Sequence, residues 1–90
     1  MFHTLSARKT EAMSVIVTER VLRLAIRATI NNGVTGRSIS TLVTSYVTGN
    51  PIEECHGSAL QRLPVELIEN DRRLAFLEAL AGLTQREPPN

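Results

Sequence analysis

Cysteine, histidine and aromatic residues are scarce in this sequence of 90 residues. It contains one cysteine, two histidines and 3% aromatic residues, with no tryptophan. The single cysteine, Cys55, cannot form an intramolecular disulfide, whereas a secreted domain this small normally needs several. A core with few rings must be built from leucine, isoleucine, valine and alanine, which favours helices. We therefore expect a cytoplasmic protein with an aliphatic, all-α fold.

Long apolar runs are also absent. No stretch of about eighteen consecutive apolar residues occurs, so the sequence predicts no membrane-spanning segment and no membrane partner. The first residues lack the apolar region of a signal peptide.

The residues that usually carry catalysis or bind metals are too few to form a site. Cys55 and His56 are the only pair that could serve as nucleophile and base, but adjacent residues on a helix point about 100° apart. His3 is the one other histidine, so no ordinary tetrahedral metal site can be assembled. We expect no enzymatic activity, no cofactor, no metal and no small-molecule substrate.

The charge is divided unevenly along the chain, although the net charge is only +1. Residues 1–50 contain six basic and two acidic residues, and residues 51–90 contain four basic and seven acidic ones. Such opposed charges can orient two antiparallel copies of a chain, or they can mark a basic face for nucleic acid.

The first periodic segment predicts a long helix over residues 10–31 with apolar side chains on two opposite sides. One side carries Met13, Val17, Val21, Leu24 and Ala28, and the other carries Val15, Leu22, Ile26 and Ile30. Two apolar sides need two partners, and a domain of this length buries only about 60% of its unfolded surface. We expect the second set to form the interface of a homodimer. The alternative is a helix buried centrally within a monomer.

A second helix is predicted from the apolar residues between Ile39 and Val47, which recur at helical spacing. Thr35 or Ser38 can cap its start, and Gly49 can end it. Asn31, Asn32 and Gly33 end the helix before it.

The rest of the chain predicts one or two further helices. Asn50 and Pro51 predict a helix start, and Pro64 predicts a break after Leu63. Pro64 then opens a last helix over residues 64–81 that Asn70 and Asp71 could split, with its end at Gly82. The whole is a small bundle of three to four helices, with one domain over residues 10–84, a flexible N-terminus over 1–9 and a flexible tail over 85–90.

Four arginines form a candidate face for nucleic acid or for an acidic partner. These are Arg20, Arg23, Arg27 and Arg37. A helix-turn-helix is an alternative arrangement, with residues 38–47 as the first helix and residues 52–63 as the reader. Glu53 and Glu54 argue against this arrangement, because they would bring two carboxylates close to the phosphates of DNA.

Several local patterns follow one another between residues 21 and 69. A helix ends in Asn32 and Gly33, the next starts at Arg37-Ser38-Ile39 and contains Leu42, Val43 and Tyr46, and a leucine-rich segment covers residues 59–68. This order resembles the small enterobacterial biofilm-development and two-component connector proteins. It needs a short gap in the loop, and Tyr46 and Val47 replace a Leu-Glu pair. The resemblance implies a helical homodimer acting as a regulatory adaptor, and it allows affinity for DNA.

These observations favour a non-enzymatic regulatory or adaptor protein that acts through protein–protein contacts as a helical homodimer. One alternative is a small dimeric DNA-binding transcriptional regulator that uses the four arginines. Another is a phage- or plasmid-type inhibitor of a host protein, which would have the same physical properties as the adaptor.

Overall fold

The computed structural model describes residues 15–56 and 62–86, and these residues form three α-helices and two short 3-10 turns. No strand occurs among them, so the expected all-α class is confirmed. The helices are α1 (Glu19–Asn31), α2 (Gly36–Thr48) and α3 (Asn70–Arg86), and the 3-10 turns cover Ile52–Glu54 and Val65–Leu67.

Helix α1 begins nine residues later than the prediction of residue 10, at Glu19. Residues 15–18 are not helical, and residues 10–14 lie outside the described part of the chain. Thr18 is the N-cap, with extended backbone geometry and a hydroxyl oxygen that accepts a hydrogen bond from the Val21 N–H at 3.2 Å. The helical spacing of the preceding valines was therefore misleading.

The end of α1 and both ends of α2 follow the sequence signals. Gly33 has a positive φ of 99° just after α1. The hydroxyl oxygen of Thr35 accepts a hydrogen bond from the Ser38 N–H at 3.2 Å and so caps α2. Gly49 adopts the left-handed conformation with φ 81°, and its N–H donates to the Ser45 carbonyl at 2.8 Å.

The helix predicted after Pro51 is wrong in the described residues, because only one 3-10 turn forms there. Cys55 and His56 follow it in non-helical conformation, and residues 57–61 lie outside the described part. None of the residues of this turn is buried. A helix at this point would have gained little apolar packing, which is what stabilises most short helices in proteins.

The last predicted helix begins later and ends later than expected. Leu63 and Pro64 are not helical, in line with the predicted break, but Pro64 leads only into the 3-10 turn Val65–Leu67. The continuous helix starts at Asn70, which the sequence offered as a splitting point. It continues through Gly82 to Arg86, into the segment expected to be a flexible tail.

The core lies between the three helices and is almost entirely aliphatic. Among the apolar core residues that the structure describes, Phe76 is the exception, and its ring meets the ring of Tyr46 edge to face, with centroids 5.4 Å apart. The Tyr46 hydroxyl donates to the Ala75 carbonyl at 3.3 Å. The apolar residues buried in this core are Val17, Leu22, Ile26, Val34, Ile39, Leu42, Val43, Leu63, Val65, Ile68, Phe76 and Leu80.

Candidate protein-binding surface

The four residues predicted to form the dimer interface are divided between the core and the surface. Leu22 and Ile26, expected to meet a partner, lie in the core of the chain itself with 0% and 6% of their surface exposed. The other two expected interface residues, Val15 and Ile30, are exposed. Leu24, which was expected to face the core, is 53% exposed.

The exposed side of α1 combines apolar and basic residues. Val21, Leu24 and Ala28 lie on it, because residues three, four and seven apart share one side of a helix. Arg20 and Arg27 border them and are exposed. We call these five residues the basic face of α1.

Arg23 lines the same surface depression as Arg20, Leu24 and Arg27, but its guanidinium already forms ion pairs. Its guanidinium contacts the Glu19 carboxylate at 2.8 Å and the Glu66 carboxylate at 3.1 Å. Glu66 in turn contacts Arg62 at 3.4 Å. Arg23 therefore joins α1 to the second 3-10 turn and has less charge to offer a partner.

Arg37 lies in a separate place, in the first turn of α2. The surface depression beside it is lined by residues from α2, the first 3-10 turn and α3. The depression beside the arginines of α1 is lined by α1 alone, and the two share no residue. Of the four arginines of the predicted face, Arg20 and Arg27 are exposed on α1, Arg23 lies beside them in ion pairs at the surface, and Arg37 lies at the start of α2.

A second exposed helix side, on α3, was not recognised from the sequence. Leu74 is 43% exposed, and Ala81 lies exposed seven residues later. Asp71 and Glu78 lie beside them, also exposed and also seven residues apart. We call these four residues the acidic face of α3. The shared spacing of seven is visible in the sequence, but exposed acidic residues on a helix usually form only a solvated surface.

Within residues 15–56 and 62–86, no catalytic pair forms around Cys55. The thiol is half-buried and donates to the Pro51 carbonyl at 3.5 Å, while the next residue, His56, is exposed. Among the described residues, no three metal-binding side chains form a cluster.

The described residues also lack the second helix of a helix-turn-helix. Its predicted start is the 3-10 turn Ile52–Glu54, where both acidic residues are exposed. No helix in the described part has the length and apolar character needed to cross a membrane.

The sequence matches no protein-family model and no curated protein, and the fold matches no solved structure. Function is therefore inferred from the chain's own surface.

Proposed function

We propose that the protein is a non-enzymatic regulatory or adaptor protein of the cytoplasm that acts through protein–protein contacts as a helical homodimer. The basic face of α1 is the observation that carries this proposal. A helix at the edge of a small domain normally presents polar residues to water, and apolar residues grouped on its outer side mark an interaction surface.

The surroundings of this face support a contact with a folded protein. The side of α1 opposite to it is fixed in the core through Leu22 and Ile26, so the outer residues are presented on a rigid element. Val21 and Leu24 supply apolar area, and Arg20 and Arg27 supply charge at its border, which is the usual arrangement of an interface core and rim. The resemblance to biofilm-development and connector proteins favours the same class of function.

Sedimentation equilibrium of the full chain over a range of concentrations tests the proposal. We expect a dimer for the wild type and a shift toward monomer for Leu24→Asp, because a carboxylate at the centre of the interface would be buried without a partner. Ile52→Asp is the matched control, since Ile52 is an exposed apolar residue beside α2. A wild-type monomer at every micromolar concentration would overturn the proposal.

Binding to DNA is the second candidate function, and the exposed arginines of α1 favour it. Neither Arg20 nor Arg27 forms an ion pair within residues 15–56 and 62–86, so both are free to contact phosphates. In gel shifts at several salt concentrations from about 50 mM upward, the double change Arg20→Gln and Arg27→Gln should weaken binding and lower the salt slope by roughly two for each bound protomer. Arg37→Gln, at the separate site, is the comparison. Absence of binding at the lowest of these salt concentrations removes the candidate.

A further inference from the structure

A groove lies between α2 and α3, beside the first 3-10 turn. It consists of two adjoining depressions of about 320 Å³ and 410 Å³, because Ile52 and Leu83 line both of them. Both depressions are open to solvent, whereas a site for a small ligand usually encloses it more fully. Among the described residues, none from α1 lines either depression, so the groove is separate from the basic face of α1.

The walls of the groove are held in place by contacts of the chain itself. At one end the Tyr46 hydroxyl donates to the Ala75 carbonyl at 3.3 Å. The 3-10 turn that borders the groove is tied to α2, since the Ser45 hydroxyl donates to the Asn50 carbonyl at 2.7 Å. From Arg37 to Tyr46 the groove follows α2 over nine residues, a rise of about 13 Å. This length accommodates a few residues of another chain.

One half of the groove is apolar and unfilled. Leu42 and Ala79 line it, and Ile52 at its border is 37% exposed. Gly82 lies in the same half, and a Cβ placed on it would meet nothing within 4 Å. The missing side chain of Gly82 therefore leaves room for an apolar side chain from another molecule.

The other half carries a positive charge and a hydroxyl without partners. Arg37 and Thr41 line it, and neither side chain forms an ion pair or a hydrogen bond within residues 15–56 and 62–86. By contrast, the hydroxyls of Thr44 and Thr48 on the same helix each donate at 2.8 Å to the carbonyl four residues earlier. A carboxylate accepts hydrogen bonds from both a guanidinium and a hydroxyl, so it would satisfy Arg37 and Thr41 together.

Acidic residues of the chain itself do not neutralise this charge. Among the residues that the structure describes, no acidic one lines either half of the groove. Glu53 and Glu54 follow Ile52 in the 3-10 turn, but successive residues of such a turn point about 120° apart. The groove is thus complementary to a molecule with an apolar part and a negative charge.

We propose that the groove binds a short segment of a protein partner, with an apolar side chain of that segment beside Gly82 and a carboxylate at Arg37 and Thr41. This inference rests on the proposed action through protein–protein contacts and names the chemistry of the partner. The groove shares no residue with the depression on α1. A homodimer formed through α1 therefore leaves the groove of each copy open for this segment.

Selection from a library of random peptides displayed on phage, with the full wild-type chain as bait, tests the inference. We expect the selected peptides to share an acidic and an apolar residue a few positions apart. Fluorescence anisotropy of a labelled synthetic copy then gives its Kd. Replacing the acidic residue of the peptide by its amide should weaken binding roughly tenfold, because a charge-assisted contact is lost.

Two variants place the peptide in the groove. Gly82→Leu fills the apolar half from within the chain and should weaken binding roughly tenfold or more. Gly82→Ala is the matched control, since it also replaces the glycine but leaves most of the space, and it should retain the wild-type affinity. Arg37→Gln should make the acidic peptide and its amide bind equally, whereas Arg20→Gln, on the basic face of α1, should not. Circular dichroism should show the wild-type helix content in every variant.

The outcomes distinguish this inference from the proposed function. Failure to select any peptide, selected peptides without an acidic residue, or unchanged binding to Gly82→Leu would overturn the groove as a binding site and leave the homodimer standing. Binding that is lost in Arg20→Gln and kept in Arg37→Gln would overturn it as well, because the peptide would then lie on α1. A monomeric wild type that binds the acidic peptide through the groove would overturn the homodimer alone.

Discussion

The side-chain Oδ1 of Asn70 accepts a hydrogen bond from the backbone N–H of Val17 at 2.9 Å, although the two residues lie 53 positions apart. The Nδ2 of the same side chain donates to the Val15 carbonyl at 3.0 Å. The side-chain amide of Asn70 thus pairs with the N–H of Val17 and the carbonyl of Val15, as the backbone of a neighbouring strand would. The segment before α1 is held extended against the start of α3, and this explains why helical geometry begins only after Thr18.

Asn70→Ala should lower the free energy of unfolding by about 1–3 kcal/mol, because a part-buried N–H and a carbonyl lose their partner. Chemical denaturation at fixed protein concentration measures this. Amide exchange at Val17 should accelerate as well. Asn31→Ala, at an exposed position of α1, serves as the control and should have little effect. Equal stability of the Asn70 variant and the wild type would contradict the structural role of this side chain.

Arg73 reinforces the same junction through its planar guanidinium. It donates to the backbone carbonyls of Ile68 at 2.7 Å, of Glu66 at 3.5 Å, and of Val17. Arg73→Lys keeps the charge but not the fork of donors, so we expect a loss of about 1–3 kcal/mol in urea unfolding. Arg20→Lys, at a residue without such bonds, should leave the unfolding midpoint unchanged. A tolerated lysine at position 73 would show that charge alone suffices.

The two leucines of α1 provide a direct test of which side faces the core. Leu22→Ala should cost about 2–5 kcal/mol, the usual range for a fully buried leucine. Leu24→Ala should change the stability of the monomer by less than about 0.5 kcal/mol, as for most surface positions. Thermal or urea unfolding, at protein concentrations below the dissociation constant of the dimer, measures the free energy of unfolding of both variants. Similar losses in both variants would mean that both sides of α1 are covered within one chain.

Gly49 and Gly82 should respond to alanine in opposite directions. Gly49 has a φ of 81°, where an L side chain is strained, so Gly49→Ala should destabilise the fold by about 1–2 kcal/mol. Gly82 lies inside α3, and a Cβ there meets nothing within 4 Å. Gly82→Ala should therefore stabilise the fold by about 0.5–1 kcal/mol. Both changes can be followed by the unfolding midpoint, and stabilisation at Gly49 would contradict its left-handed geometry.

Helix α2 was predictable from sequence because its signals are local. The apolar spacing, the cap at Thr35 and the left-handed Gly49 all act within a few residues of the helix ends. The prediction that the last helix ends at Gly82 was wrong, because a glycine ends a helix only where the chain adopts a left-handed turn. In α3 the helix continues past Gly82 to Arg86.

The start and orientation of α1 could not be predicted in the same way. Its start depends on Asn70 and Arg73, which contact it from the far end of the chain. Its two apolar sides look equivalent in sequence, and the choice between them depends on where α2 and α3 lie. The prediction that Leu22 and Ile26 lie in an interface was therefore wrong, because both residues are buried in the core of the chain itself.

The candidate surface was predictable in part. Arg20 and Arg27 were identified from the sequence, and both are exposed on α1. Arg23 and Arg37 could not be separated from them, because an ion pair with Glu66 and a position in another helix are tertiary facts. The acidic face of α3 was missed because exposed acidic residues on a helix usually indicate only a solvated surface.

The hydrogen bonds that Asn70 and Arg73 form with the segment before α1 can be made only after α3 has been synthesised. Phe76 and Leu80, which complete the core, belong to the same helix as Asn70 and Arg73. A nascent chain that has released only α1 and α2 from the ribosome exposes Leu22, Ile39 and Val43 with nothing to cover them. The native state can thus be reached only after translation has delivered α3.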